Sequence, residues 1–509
     1  MSRIGSMRGF LACSIGVTCA AALALPLTQP AAPATARPGA TARPGAAGET
    51  QSPGIPGSTQ SLPLVPLTTD RTLGSATVQG LTRRDVRHFS MVGVVWDDPD
   101  AELHGRVQVR TRAVGTGTWS GWQDVETHNA DHAADPGTEE RASGRVRGAT
   151  APLWVGDSDG VEVRVRALPQ EAAPAPAAGQ DQDQDQEQEQ DQGQEQGQGV
   201  AGEEPAYDTS SSRDGDRGLT SLAALPAGLR LELVDPGGAD DATAQGAPAA
   251  SSRLGTLTPE TIAASEVNAA LAPIGATDIP ALDREATERE LAVLGAAQLT
   301  AGQRAKPKIG PRPAIVTRRG WGADESLREK TFIYTKKVKA AFVHHSATGN
   351  GYSCSQAPSV IRGIYRYHVK SMGWRDIGYN FVVDKCGKIY EGRAGGVAKP
   401  VMGAHTLGFN SNSMGIAVLG TFGSAGPTKA TVKALGRLTA WKLGLHGGNP
   451  RGKTYLKSGG GNLYAKGKNV RLNVISGHRD GFPTACPGRK LYGKLGSVRG
   501  YAAYYQGRG

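Results

Sequence analysis

Charge is divided very unevenly along this chain of 509 residues. Residues 311–509 carry 32 Lys and Arg against 7 Asp and Glu, whereas residues 1–310 carry 25 against 40. Two parts with such opposite balances are not expected to share one core, and the basic part is expected to bind a polyanion. Glycine and proline are abundant (70 and 31 residues) and only 38% of the residues are hydrophobic, which excludes a single compact domain and predicts linkers.

The first 36 residues have the pattern of a secretory signal peptide. Arg3 and Arg8 precede an apolar stretch, and residues 34–36 (ATA) form a cleavage site of the A-x-A type. A membrane anchor is the alternative, but the strongly hydrophobic core is short for a span of about 20 residues, and prolines follow it. A lipoprotein anchor through Cys19 is weaker still. We therefore expect an exported, soluble protein without a membrane span.

The cysteine count is informative in that compartment. Cleavage would leave Cys354, Cys386 and Cys486, an odd number where disulfides form. Two of them can pair. The remaining thiol is then either without a function or a metal ligand. The residues around it in the sequence distinguish these two possibilities.

Periodicity and composition divide the chain into segments. Alternation such as Val161, Val163 and Val165 between charged residues predicts a sheet with one buried face, in a small antiparallel β-sandwich or a related all-β module. The segment 181–198, in which Gln alternates with acidic residues, has no apolar side chains and cannot form a hydrophobic core. Beyond residue 310, short apolar strands alternate with amphipathic helices, which predicts an α/β domain. The predicted segments are a signal peptide (1–36), a disordered leader (37–60), a β-module (61–240) with a disordered acidic, Gln-rich insert at about 172–217, a linker with one helix-like patch (241–310), and the α/β domain (311–509).

Three side chains in the C-terminal part are of the types that bind zinc. His344 ends an apolar run, and His478 and Cys486 lie eight residues apart around a loop that contains Gly and Pro. Three protein ligands of this kind leave a fourth position open for water, as hydrolysis requires. The spacing alone is a weak signal, because a single histidine at a strand end is more often a structural polar residue. The unpaired cysteine favours the metal site.

Four motifs then resemble those of peptidoglycan recognition proteins and the related type 2 N-acetylmuramoyl-L-alanine amidases, in the same order. They are FVHHSAT, GWRDIGYNFVVDKCGKIYEGR, GAHTLGFNSNSMGIAVLG and ISGHRDGFPTACPG. The resemblance covers residues 313–505, about two-fifths of the chain. It implies a central mixed sheet flanked by helices, with a groove for a glycopeptide and a zinc ion at the floor of the groove.

The resemblance also assigns roles to individual positions. His344, His478 and Cys486 match the zinc ligands, and Tyr379 matches a tyrosine that assists the attacking water or the tetrahedral intermediate. Thr484 occupies a position that is Lys in phage-type relatives and Thr in many animal amidases. A Thr can donate a hydrogen bond to a developing oxyanion, but it cannot neutralise the charge as a cation would.

Three further residues are candidates for substrate contact. His405 matches a groove residue, with a buried structural histidine as the alternative. Trp374 and Arg393 resemble the pattern associated with stem peptides that carry meso-diaminopimelate, where Arg393 could pair with the extra carboxylate. A packing tryptophan and a surface arginine are the alternative. His345, beside the first ligand, is expected to be structural or to support that ligand.

Cys354 and Cys386 do not follow the close spacing of the animal disulfide in this family. We expect them to pair, because both predicted elements lead away from the metal site. A loop of roughly 30 residues would be closed and the fold stabilised by about 3–4 kcal/mol in the chain-entropy model. The alternative, a fourth zinc ligand from this pair, would close the site and abolish hydrolysis.

The resemblance implies a secreted, cell-wall-associated hydrolase that uses Zn²⁺ to cleave the amide between N-acetylmuramic acid and L-alanine. The alternative is a non-catalytic peptidoglycan-binding recognition protein; such members lack the cysteine ligand, so Cys486 favours the enzyme. A third possibility is that the β-module, as an adhesin or a partner-binding domain, sets the biological role. Peptidoglycan and anionic wall polymers are the expected partners of a monomer, and nucleic acid is not expected, since an exported chain carries no nucleic-acid motif.

Overall fold

The computed structural model describes residues 57–69, 76–127, 129, 131–169, 223–238, 257–294 and 299–509. The predicted signal peptide, nearly all of the predicted leader and the predicted acidic insert lie outside these residues. Within the described part of the chain, no helix is both long and apolar enough to cross a bilayer.

The N-terminal module is an antiparallel sheet built on the predicted alternation. In its fourth strand, Val107 and Val109 are buried between residues that face solvent in part or in full. The strands are β1 (Ser58–Pro63), β2 (Val65–Thr69), β3 (Ala76–Trp96), β4 (Gly105–Ala113), β5 (Gln123–Val125), β6 (Gly148–Ala149), β7 (Leu153–Ala167) and β8 (Arg230–Asp235), with the short helix α1 (Glu139–Ala142) between β5 and β6.

The all-β prediction for this module holds, but the strands form one connected sheet. The pairing order is β1-β8-β3-β7-β4-β5, and β2 and β6 also pair with β3. Register shifts along the β3–β7 pair accompany the 21-residue length of β3. Such irregularities bend a strand, so one long strand can pair with several partners.

The C-terminal domain combines a mixed sheet with helices, in agreement with the predicted α/β class. Its strands are β9 (Asp278–Ile279), β10 (Ile315–Val316), β11 (Ala340–His345), β12 (Phe381–Val383), β13 (Ile389–Glu391), β14 (Ser413–Val418), β15 (Lys453–Lys457), β16 (Asn469–Asn473) and β17 (Ile475–Gly477). Its helices are α2 (Pro259–Glu266), α3 (Arg284–Val293), α4 (Ala301–Ala305), α5 (Ala357–Arg366), α6 (Lys429–Gly444), α7 (Arg489–Tyr492) and α8 (Leu495–Tyr505).

The main sheet has the order β17-β11-β14-β12-β13-β10-β9. Strands β17, β11, β14 and β12 run parallel to one another. Every residue of β11 is buried, because the strand has a neighbour on each side and lies within the domain core. The carboxyl ends of these parallel strands therefore meet at one edge of the sheet.

The prediction of a linker over 241–310 is wrong for its described part from residue 257 onward. Strand β9 pairs with β10 at the edge of the main sheet. Leu271, Ile279 and Leu291 pack in the same apolar cluster as Leu435 and Trp441 of α6. The apolar residues of this segment are too widely spaced to show a period, yet they bury well against a core that other elements supply.

The expectation that the two parts would not share a core is also wrong. Met91, Trp154 and Val234 of the module pack in one cluster with aromatic side chains of α5 and the turn that follows it. The hydroxyl of Tyr367, in that turn, donates to the carbonyl of Thr150 at 3.1 Å.

Cys354 and Cys386 form a disulfide across a sequence separation of 32 residues. Cys354 precedes α5 and Cys386 lies in the turn between β12 and β13. Both sulfurs are committed to this bond, so neither is a metal ligand. Among the described residues, Cys486 is the free cysteine, and it is buried.

Candidate metal centre

The ends of two neighbouring parallel strands place the two predicted histidine ligands side by side. In the β11–β17 pair, Val343 lies opposite Gly477. His344 is the next residue of β11 and His478 directly follows β17, so their ring centroids are 4.4 Å apart. Sites at the carboxyl ends of parallel strands are a general property of open α/β sheets.

The third predicted ligand comes from a loop that folds back towards these strands. The carbonyl of Cys486 accepts a hydrogen bond from the backbone N–H of Arg479 at 3.1 Å. The hydroxyl of Thr484 accepts from the backbone N–H of Cys486, also at 3.1 Å. The sulfur lies 3.8 Å from Nδ1 of His344 and accepts from the backbone N–H of His345 at 3.4 Å. The structure thus brings the three predicted ligands together.

A fourth side chain completes the cluster, and it comes from the N-terminal module. His132 lies in the β5–β6 loop (residues 126–147, of which 128 and 130 are not described). Its Nε2 is 3.2 Å from Nδ1 of His344 and 3.9 Å from the sulfur of Cys486. One donor atom from each of His132, His344, His478 and Cys486 lies within 4.8 Å of the others, and all four residues are buried.

This donor set fits a zinc ion. Zinc prefers imidazole and thiolate at distances that put tetrahedral donor atoms roughly 3–4 Å apart. Within the described part of the chain, both ring nitrogens of His478 are buried without a hydrogen-bond partner, a state that a bound cation would relieve. Burial lowers the pKa of His478 to about 3 and that of His344 well below its usual value, so both rings are in the neutral form that binds metals.

Asp131 supports the fourth histidine. One carboxylate oxygen is 3.0 Å from Nδ1 of His132, which directs Nε2 of that ring to the centre of the cluster. Burial acts to raise the pKa of Asp131, but hydrogen bonds from His132 and Thr484 hold this pKa below its ordinary value. The aspartate therefore remains ionised behind the ring that it orients.

Tyr379 and Thr484 line a cavity beside Cys486. The ring centroid of Tyr379 is 5.5 Å from that of His344. Burial raises the pKa of Tyr379, so its hydroxyl stays protonated and can donate a hydrogen bond. The cavity has a volume of about 10 Å³, which holds roughly one water molecule. A muramyl peptide does not fit in this space while the β5–β6 loop is in place.

Arg393, a candidate for substrate contact, also pairs with a residue of the β5–β6 loop. Its guanidinium nitrogens donate to the two carboxylate oxygens of Glu140, each at 2.9 Å. The backbone N–H of Arg375 donates to Glu140 as well, at 3.2 Å. The side chains of Glu140 and Arg393 are 1% and 7% exposed, so this is a buried ion pair and not the surface arginine considered from sequence.

The other two candidate substrate contacts are packed away. His405 is fully buried, with Nδ1 at 3.0 Å from the hydroxyl of Thr406, which is the structural alternative considered from sequence. Trp374 is buried against the ring of His368, with centroids 4.5 Å apart. His345 accepts from the backbone N–H of Phe422, which fits its expected structural role.

The segment that follows His405 holds the rest of the β5–β6 loop. The Asp135 carboxylate accepts from the backbone N–H of Gly408 at 2.8 Å and from the side-chain amide of Asn410 at 2.6 Å. The carbonyl of Asp131 accepts from the backbone N–H of Leu407 at 3.0 Å. This segment belongs to the GAHTLGFN motif, so the loop occupies the wall of the expected groove.

Sequence reasoning missed Asp131, His132 and Glu140. The only local signal is the stretch THNADHAADPGTEE at 127–140, in which histidines and acidic residues are concentrated in a predicted loop. His132 is 212 residues from His344, so no spacing rule connects them. The docking of the whole module, which no local pattern encodes, brings them together.

Comparison with known proteins identifies the family of the C-terminal domain. A sequence model of the family described as N-acetylmuramoyl-L-alanine amidase matches residues 334–489. Peptidoglycan-recognition protein SC2 of Drosophila simulans is 31% identical over 183 residues, which are 36% of this chain and 84% of that protein. The chain belongs to the peptidoglycan recognition protein and type 2 amidase family. Family membership supports peptidoglycan binding or amide hydrolysis as the activity.

Other known proteins, and a second sequence model, are similar to parts of this chain. A human N-acetylmuramoyl-L-alanine amidase is 36% identical over 126 residues, which are 24% of this chain and 21% of that protein. The solved structure of wild-type Drosophila PGRP-LB has 26% sequence identity to this chain. The superposition covers 36% of this chain and 92% of the PGRP-LB chain, with a TM-score of 0.29. A model described as Rv3811 N-terminal galactose-binding domain-like matches residues 38–201. The chain thus has a galactose-binding-like domain followed by the amidase-family domain.

Proposed function

We propose that this protein is a secreted, wall-associated zinc hydrolase that cleaves the amide between N-acetylmuramic acid and L-alanine in peptidoglycan. The observation that carries the proposal is the convergence of His344, His478 and Cys486 where parallel strands end, next to Tyr379 and Thr484. The match of residues 334–489 to the amidase family supports it.

The residues divide the chemistry between them. His344, His478 and Cys486 would hold Zn²⁺, which when bound acidifies a water molecule and polarises the lactyl carbonyl. The protonated hydroxyl of Tyr379 donates a hydrogen bond to the carbonyl oxygen as its negative charge develops. Thr484 supplies a second hydroxyl on the same side of the cavity. Because Tyr379 is buried and held by the fold, its hydroxyl needs little reorganisation as the charge builds.

A second candidate function is peptidoglycan recognition without hydrolysis. His132 is the observation that favours it, because a site with four protein ligands has the closed form of structural zinc sites. In that case the metal would stabilise the joined domains. The two functions differ in whether the amide is cut.

Release of new N-terminal alanine from purified cell wall distinguishes them. We expect the zinc-loaded full-length double variant His132→Gln/Glu140→Gln to release alanine, because glutamine is a poor zinc ligand and because the loop also loses its ion pair with Arg393 and can leave the site. The same variant, freed of metal with a chelator, should release none. Wall binding without alanine release, by both the wild type and the variant, would leave recognition alone.

Binding to anionic wall polymers is expected to weaken as salt rises. The chain has a net charge of +10, and the excess of Lys and Arg lies in residues 311–509. Between about 0.1 M and 1 M salt the screening length falls from about 10 Å to about 3 Å, so exposed charges stop attracting the polymer. Co-sedimentation with intact wall measures the effect, and wall stripped of its anionic polymers is the control. Equal binding at both salt concentrations would contradict the electrostatic account.

A further inference from the structure

We infer that the β5–β6 loop is a built-in inhibitor that holds this protein in a latent form. The loop fills the fourth position of the metal site with His132 and the arginine subsite of the groove with Glu140. The inference rests on the proposed function, since it describes how that site is regulated. Three independent contacts carry it.

The first contact is at the metal site. Nε2 of His132 points to the donors of the C-terminal domain, at 3.2 Å from His344 and 3.9 Å from Cys486. Asp131 holds the other ring nitrogen, as a carboxylate does behind a metal-bound histidine. A fourth protein ligand takes the position that a hydrolytic zinc needs for water.

The second contact is at the arginine subsite. Both carboxylate oxygens of Glu140 receive hydrogen bonds from Arg393, and a backbone N–H of the groove adds a third. A guanidinium that forms a two-bond pair with a carboxylate is the arrangement by which a peptide carboxylate would be recognised. Glu140 therefore stands where a carboxylate of a wall peptide would bind.

The third contact is along the groove wall. Asp135 and the backbone of Asp131 take hydrogen bonds from Leu407, Gly408 and Asn410. A peptide substrate would use such backbone N–H groups. The loop thus supplies a ligand to the metal site, a carboxylate to Arg393 and hydrogen-bond acceptors to the groove wall. A cavity of about 10 Å³ is left beside Cys486.

Cobalt in place of zinc tests the closed position without an activity assay. The absorption of Co²⁺ reports its ligands, and azide binds only where a position is open. We expect azide to leave the spectrum of the Co²⁺-loaded full chain unchanged and to shift that of His132→Gln. His104→Gln is the matched control, because His104 is an exposed histidine of the same module (61% exposed). An equal azide response in the wild type and His132→Gln would overturn the proposal.

Alkylation of Cys486 in the metal-free full chain tests the whole loop. The double variant His132→Gln/Glu140→Gln should react with iodoacetamide about tenfold faster or more. Without the buried pair between Glu140 and Arg393 the loop is held less firmly, so the thiol of Cys486 becomes accessible more often. His104→Gln/Glu102→Gln replaces exposed residues of the same types and should react as the wild type does. Peptide mapping by mass spectrometry identifies the alkylated cysteine. Equal rates in the two double variants would contradict the proposal.

The outcomes separate this inference from the proposed function. A changed spectrum and faster alkylation without alanine release would uphold the closed site and reject hydrolysis. Equal alanine release by the wild type and the double variant His132→Gln/Glu140→Gln, with unchanged spectra, would uphold hydrolysis and reject latency. If the double variant unfolds, the azide titration of His132→Gln decides, because that variant keeps the Glu140–Arg393 pair.

Discussion

Full-length protein with Cys486→Ser is expected to lose tight zinc binding and, in the His132→Gln/Glu140→Gln background, to release no alanine from cell wall. A serine hydroxyl is a poor zinc ligand, and the loss of a supporting residue alone costs up to about 100-fold in affinity, so loss of a direct ligand should cost more. Metal content after dialysis measures the first effect, and N-terminal alanine release measures the second.

The other two described cysteines provide the control for this experiment. Cys354→Ser/Cys386→Ser removes the disulfide but leaves the metal donors in place. This double variant should keep its zinc, and only its free energy of unfolding should fall. Retention of stoichiometric, tightly held zinc by Cys486→Ser would show that the sulfur is not a ligand and would remove the basis of the proposed hydrolysis.

Replacing Arg318 by Met is expected to lower the free energy of unfolding by about 3–5 kcal/mol, because it breaks a buried charge network. The guanidinium is 2% exposed and donates to Glu325 at 2.7 Å, to Asp376 at 3.0 Å and to the carbonyl of Gly392 at 2.6 Å. Methionine keeps the volume but leaves the carboxylate of Asp376 buried without this cation.

Urea denaturation measures this loss, and Arg471→Met is the matched control. Arg471 is exposed, so its replacement should change stability by no more than about 0.5 kcal/mol. Asp376 also accepts from the backbone N–H of Ala394, next to Arg393. Arg318→Met should therefore also loosen the groove wall that carries the arginine subsite. An equal effect of the two substitutions would show that the network contributes nothing to stability.

Much of the C-terminal domain could be predicted from sequence because its signals are local. The apolar run that ends at His344 is β11, and the motif resemblance placed His344, His478 and Cys486 in one site. The edge strand β9 could not be predicted, because two residues are too few to show a period. Its position depends on a sheet that other parts of the chain form.

The closure of the site could not be predicted for a similar reason. His132 and Glu140 are ordinary residues in a polar loop, and a loop with acidic side chains usually faces solvent. Their roles arise only when the module docks, which brings Glu140 to Arg393 across 253 residues of sequence. The charge balance of the two parts predicts separate cores, but it carries no information on the apolar side chains that the two parts share.

The apolar cluster shared by the two domains limits how the groove can be freed. Full detachment of the module would uncover Met91, Trp154 and Val234 together with the apolar face of α5. A patch of this kind makes a protein insoluble or drives it to a new partner. Swinging the loop outward while the sheet stays docked avoids that exposure, so activation by a local movement is compatible with a chain that remains in solution.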